Sequence, residues 1–152
     1  MRSIFVVAAS LFLIGCSRAS TPDDSSGSAA YLEKAAAEPG AVKTPSGLIF
    51  HELTAGSGES PAATDVVKVN YRGTLVDGTE FDSSYKRNEP IEFPLNQVIP
   101  CWTEGVQRMK VGGKARLVCP SAIAYGDAGR PPVIPAKATL VFEIELLGIT
   151  KS

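Results

Sequence analysis

The stretch VKVNYRGTLVDGTEFDSS, residues 67–84, decides how the rest of the chain is read. Val67, Val69 and Tyr71 alternate with Lys68, Asn70 and Arg72. Successive side chains of a strand point to opposite faces, so this period of two predicts a half-buried strand. Asp77-Gly78 follows as a hairpin signal, because glycine accepts the positive φ that a tight hairpin turn requires. TEFDSS then returns as a second strand, and Asp82 falls between Phe81 and Ser83, beside apolar positions. A carboxylate there must find hydrogen bonds or bear a desolvation cost. A polar point in an apolar cleft is the usual make-up of a ligand pocket.

The strand pattern continues on both sides. Upstream, LIFHELTAG carries an early strand, with His51 as a surface or edge-strand residue. Downstream, IEFPL is a short strand, with Pro94 marking an edge or bulge. In VIPCWTEGVQRM, residues 98–109, Trp102, Val106 and Met109 recur at i, i+4 and i+7, the spacing of one helical face. Gly112-Gly113 ends that helix. Ala115, Leu117 and Cys119 form one face of the next strand. Leu140, Phe142, Ile144 and Leu146 form one face of the last, against Glu143 and Glu145. The loop between them, SAIAYGDAGRPPVIPAKA, is stiffened by prolines and is expected to wall a site. The fold class is α+β: an antiparallel sheet of about five strands wrapped around one short helix.

At 152 residues the chain has room for one domain with a hydrophobic core. The formal net charge is −1, and no basic patch suggests nucleic acid as a partner. Residues 1–15, MRSIFVVAASLFLIG, place Arg2 before an apolar run too short to span a bilayer, which takes about 20 residues. This is the pattern of a secretory signal peptide. It ends in Leu13-Ile14-Gly15-Cys16, which resembles the lipobox of bacterial lipoproteins and makes Cys16 the expected site of lipidation. The alternative is an ordinary signal peptide cut a few residues later. Ser17 behind the cysteine, rather than Asp, points to the outer membrane. The expected location is the cell envelope, lipid-anchored at the periplasmic face of that membrane. Residues 17–28 are rich in Ser and Asp and read as a flexible tether. AAYLEKAAAE, residues 29–38, reads as a short helix stopped by Pro39-Gly40 and serving as a spacer. The expected units are a signal peptide over 1–15, an anchor segment over 16–45 and a globular domain over 46–152.

Little else in the chain carries bond-making chemistry. His51 has no Ser or Cys nearby in a nucleophilic motif. GSGES, residues 56–60, lacks the full phosphate-loop pattern. No clustered His, Cys or carboxylates suggest a metal, and no cofactor is expected. Cys101 and Cys119 lack the CxxC spacing of thioredoxin-type redox chemistry. What stands out is a set of aromatic and aliphatic residues distributed over strands, turns and loops.

Taken in order, VKVNYRGTLVDGTEFDSS, FPLNQVIPCWTEGVQRMKVGGKARL, AYGDAG and IPAKATLVFEIELLGI resemble the FKBP-type peptidyl-prolyl cis-trans isomerases, in particular the exported Mip-like and FkpA-like members. The resemblance implies a pocket. Tyr71, Phe81, Phe93, Val98, Ile99 and Phe142 would be its walls, and Trp102 its floor under a proline ring. The Ile99 N–H and the Tyr125 hydroxyl would bind ligand carbonyls, and Asp82 would lie at the mouth. Val133 and Ile134 would close the loop side. Catalysis would rest on Asp82, Tyr125, Phe81, Trp102 and Phe142. The substrates would be Xaa-Pro segments of folding envelope proteins, with macrolides such as rapamycin as inhibitors. Two positions depart from the family: Cys101 stands where many members have Gly, which leaves Trp102 in place, and Arg130 where some have His, a change that would bear on substrate or macrolide preference. The long helical dimerisation arm is absent or reduced to residues 29–38, so a monomer is expected. With Cys16 lipidated, Cys101 and Cys119 have one pairing available in an oxidising compartment. A disulfide between helix and sheet and two buried thiols both fit. Two competing functions are a slow-turnover chaperone using the same cleft and a lipoprotein domain that docks an envelope partner.

Overall fold

Strand β3 (Val66–Leu75) is the axis of the structure, a computed structural model that describes residues 24–130 and 132–152. The expected signal peptide and Cys16 lie outside the described residues. Around β3 stand β1 (Ala41–Lys43), β2 (Ile49–Thr54), β4 (Glu80–Ser83), β5 (Ile91–Pro94), β6 (Lys114–Cys119) and β7 (Leu140–Thr150). All pairings are antiparallel, in the order β1-β2-β6-β7-β3-β4. β4 and β5 share one edge of β3: β5 pairs with the first half, Val66 to Val69, and β4 with Arg72 to Thr74. Pro94 is tolerated because β5 is an edge strand.

The α+β class and the antiparallel sheet with a short helix hold. Among the described residues the strand count is seven rather than about five. β1, three residues long, was too short to register as a pattern, yet it pairs Val42 with Phe50. It covers the outer edge of β2, so His51 lies on the second strand, beside Glu38 and Arg116, rather than at an edge.

One face of the sheet carries Val67, Val69, Tyr71, Leu117, Cys119, Leu140, Phe142, Ile144 and Leu146 into the main core. Helix α2 (Pro100–Val106) closes this face with Cys101, Trp102 and Val106. Pro100 at its first turn has no N–H to leave unsatisfied and presets the helical φ. The helix is shorter than the i, i+4, i+7 pattern suggests. The Gly112 N–H already donates to the Leu146 carbonyl at 2.8 Å, and the Leu146 N–H returns to Gly113 at 3.0 Å, so the chain must leave the helix to join the sheet. Met109 remains buried just past the turn that follows the helix rather than in it.

The opposite face is covered by α1 (Asp24–Ala36). Tyr31, Leu32, Ala35 and Ala36 pack against Ile49, Val118 and Val141. Two expectations are corrected here. Among the described residues the helix runs over Asp24–Ala36, so it reaches into the stretch read as a tether. It is docked on the sheet rather than a free spacer.

Candidate active site

A cavity of about 490 Å³ opens between β3, β4, β5, the N-terminus of α2 and the loop after β6. Its walls follow from strand register. Tyr71 on β3 and Phe142 on β7 point to the same face of the sheet, and Phe142 lies opposite Gly73, two residues along from Tyr71. Phe93 comes from β5 and Phe81 from β4. Trp102, in the first turn of α2, stands at the bottom with its ring edge-on to three others. These are Tyr71 at 5.1 Å and 78°, Phe142 at 5.3 Å and 90°, and Phe93 at 5.5 Å and 85°. Phe81 continues the cage against Phe142 at 5.6 Å and 88°. Edge-to-face pairs of this kind are worth about 0.5–1.5 kcal/mol each beyond their buried area.

The cavity also holds unused donors. The Trp102 Nε1–H is buried without a hydrogen-bond partner. The Ile99 N–H, just before the helix, donates to no carbonyl among the described residues. Tyr125 lines the cavity from the loop after β6, and its hydroxyl is not engaged by another described residue.

Asp82 is the opposite case, since both of its oxygens are occupied. The Tyr71 hydroxyl donates to Oδ2. Arg87 Nη1 donates to Oδ1 at 2.7 Å, and the Ser83 N–H donates to the same oxygen at 2.9 Å. Burial pushes the Asp82 carboxyl up, but the Tyr71 hydroxyl and the Arg87 guanidinium outweigh it and hold the group below the usual range. The Tyr71 hydroxyl is pushed above its ordinary value, first by burial and then by its bond to Asp82. At neutral pH the site therefore contains a carboxylate and a neutral phenol.

The FKBP-type peptidyl-prolyl cis-trans isomerase family pattern matches residues 57–147. The chain belongs to this family. It is 52% identical over 119 residues to FkpA of Escherichia coli, covering 78% of this chain and 44% of that protein. To FkpA of Aeromonas hydrophila it is 55% identical over 121 residues, covering 80% and 45%. The chain thus spans less than half the length of these relatives. Among solved structures, E. coli FkpA superposes with a TM-score of 0.82 at 49% identity, over 84% of this chain and 60% of that one. A peptidyl-prolyl cis-trans isomerase from Pseudomonas syringae pv. tomato superposes at 0.78 and 39% identity, over 83% of this chain and 92% of that one.

Within this FKBP-type domain, Tyr71, Phe81, Asp82, Phe93, Val98, Ile99, Trp102, Tyr125 and Phe142 are brought together around one cavity. Val133 and Ile134 do not line it. The Arg130 N–H bonds the Ile134 carbonyl at 2.9 Å and the Ile134 N–H returns at 3.0 Å, closing a tight turn. That turn sends the Ile134 side chain into the core and leaves Val133 half exposed. Arg130 and Gln97 line the cavity. Sequence reading missed Gln97 and Arg87 altogether. The one signal for Arg87 was its position five residues after Asp82, where the 3-10 turn Tyr85–Arg87 folds it back. Cys101 and Cys119 are joined as a disulfide with 5.8 Å between Cα atoms, tying the first turn of α2 to the end of β6 behind Trp102.

Proposed function

We propose that the protein is an FkpA-like prolyl isomerase that assists protein folding at the bacterial cell envelope. The observation that carries the reading is the Trp102 floor, caged edge-on by Tyr71, Phe93 and Phe142. It offers a flat apolar surface of the size a proline ring covers.

Resonance holds the peptide bond planar behind a barrier of about 18–20 kcal/mol. At Xaa-Pro both isomers are populated and exchange takes about 10–100 s uncatalysed. The planar amide has the larger charge separation and is the better solvated by water. An apolar cleft that excludes water therefore favours the twisted amide over the planar one, which is differential binding of the transition state. In this mechanism Trp102, Phe81 and Phe142 hold the ring, with Tyr71, Phe93 and Val98 as walls. The Ile99 N–H and the Tyr125 hydroxyl donate to substrate carbonyls. Asp82, fixed by Tyr71 and Arg87, orients the amide at the mouth. Each tenfold of acceleration needs only about 1.4 kcal/mol, so a few such contacts are sufficient.

The substrates are Xaa-Pro segments of folding envelope proteins. The chain divides into a signal peptide over residues 1–15, an anchor segment beginning with lipidated Cys16, and the isomerase domain from residue 46. The location is the periplasmic face of the outer membrane. The docking of α1 on its own sheet uses its apolar face internally and favours a monomer. The test is isomerisation of a short Leu-Pro peptide with and without rapamycin. Fast turnover blocked by the macrolide is the expected result; macrolide binding without turnover would move the protein to a binding module. Mass spectrometry of the mature N-terminus checks the lipid on Cys16.

A further inference from the structure

We propose that Arg130 gives this site a preference for an acidic side chain flanking the proline, an inference that rests on the isomerase reading above. Asp82 and Arg130 are the charged side chains lining the cavity. They differ in what they have left to offer. Both oxygens of Asp82 are engaged, by Tyr71 on one side and by Arg87 and Ser83 on the other. Arg130 enters none of the ion pairs among the described residues, and Asp127, the nearest acid along its loop, does not reach it either. Its backbone is fixed by the two hydrogen bonds with Ile134, while its side chain is exposed. The result is an uncommitted guanidinium on a pinned turn at the edge of an apolar cleft.

The geometry gives that charge a target. Trp102 closes the bottom of the cavity, so the chain on either side of a bound proline leaves through the mouth that Arg130 borders. A guanidinium presents a planar fork of donors that matches a carboxylate. Against the low-polarity wall of Phe81 and Phe142 their attraction is screened less than in open water. A lysine at the same substrate position meets a like charge.

The test uses matched peptide pairs that differ only as Glu or Gln, in one series before the proline and in another after it. The readout is the Glu/Gln ratio of kcat/KM within each protein, which cancels any general loss of activity. In at least one series the wild-type ratio is expected to exceed that of Arg130→Ala by about two- to fivefold, the range of exposed ion pairs. Arg130→Lys should retain most of the preference and Arg130→Glu should invert it. The preference should shrink at high salt. Equal ratios in all four proteins, with turnover intact, would overturn the assignment and leave the isomerase reading standing. Absence of turnover on every peptide would overturn both.

Discussion

Arg87 grips Asp82 from outside the cavity, with Nη1 on Oδ1 at 2.7 Å, while its Nη2 reaches the Tyr71 hydroxyl at 3.1 Å. The Arg87 guanidinium also stands 5.9 Å from the centre of the Tyr71 ring. Asp82, Tyr71 and Arg87 thus form a closed triangle that fixes one wall of the pocket. Asp82→Ala removes the acceptor common to the other two. The three hydrogen bonds that Asp82 accepts, from Tyr71, Arg87 and the Ser83 N–H, are worth about 1–3 kcal/mol of stability at a partly exposed site. The expected fall in kcat/KM on a Leu-Pro peptide is about tenfold or more at a temperature where the variant is still folded. Urea midpoints and kinetics on one preparation separate the two effects. A loss that merely tracks the folded fraction would remove Asp82 from the mechanism.

Trp102 is the one tryptophan of the chain and stands on the cavity floor. Its emission should therefore report occupancy of this site and nothing else. Titration with rapamycin is expected to shift or quench the fluorescence in a saturable way. Trp102→Leu should abolish both the signal and the binding, and should cost about 3 kcal/mol or more through the three lost ring contacts. An unchanged spectrum at saturating macrolide would place the ligand elsewhere.

Asp65 is buried, and its carboxylate accepts the Ala62 N–H at 2.9 Å and Lys151 Nζ at 3.2 Å. The Ala62 hydrogen bond lowers its pKa, against a smaller upward push from burial, and Lys151 lowers it further. The folded state therefore binds the Asp65 proton less readily than the unfolded chain does, where an aspartate titrates near about 3.9. Its stabilising contribution is complete above that value and disappears as pH falls through the folded value beneath it. Asp65→Asn should be less stable than wild type at pH 7, and the gap should narrow below about pH 4. Urea midpoints of both proteins across that range check the sign. A gap that stays constant with pH would mean the loss is one of shape, not charge.

What the sequence revealed, and what it hid, divides along local and non-local lines. The alternation of Val67, Val69 and Tyr71, and of Leu140 to Leu146, marks the core face because strand period is a local property. Trp102 and Val106 share a helical face for the same reason. Asp82 was legible as a polar point, but not its grip by Arg87, which depends on a 3-10 turn with no pattern of its own. Ile134 turns into the core rather than closing the pocket because two backbone hydrogen bonds with Arg130 fold the loop, and periodicity does not encode such bonds. Helix α1 looked like a spacer because Ala35 and Ala36 add little to an apolar pattern, although they cover Ile49, Val118 and Val141 on the sheet.

The Cys101–Cys119 disulfide closes a loop of 18 residues in sequence separation. Restricting the unfolded chain to that extent stabilises by about 3 kcal/mol in the chain-entropy model. For a domain of this size each kcal/mol shifts Tm by about 3–6 °C. The double variant Cys101→Ser/Cys119→Ser should melt about 10 °C or more below wild type. Alkylation of the unfolded protein without reductant should add no label at these two positions. Labelling of both, or an unchanged Tm, would contradict the bond.

Gly73 and Gly105 allow two close approaches, and alanine at each should fail differently. A Cβ on Gly105 would meet Leu117 Cδ1 at 2.6 Å and Cδ2 at 2.8 Å. Leu117 is fully buried, so α2 must lift from β6 at an overpacking cost of about 1–3 kcal/mol. A Cβ on Gly73 would meet Phe81 Cζ at 2.5 Å and Phe142 Cε1 at 3.0 Å. Phe81 is only partly buried, and its free side is the cavity, so its ring has somewhere to go. Gly73→Ala should therefore push the aromatic wall into the space meant for proline. The expected outcome is a smaller loss of stability than in Gly105→Ala but a larger loss of kcat/KM. Parallel urea melts and peptide kinetics on the two variants decide it. If Gly73→Ala keeps full activity, Phe81 yields without entering the substrate's path, and its place in the wall is passive.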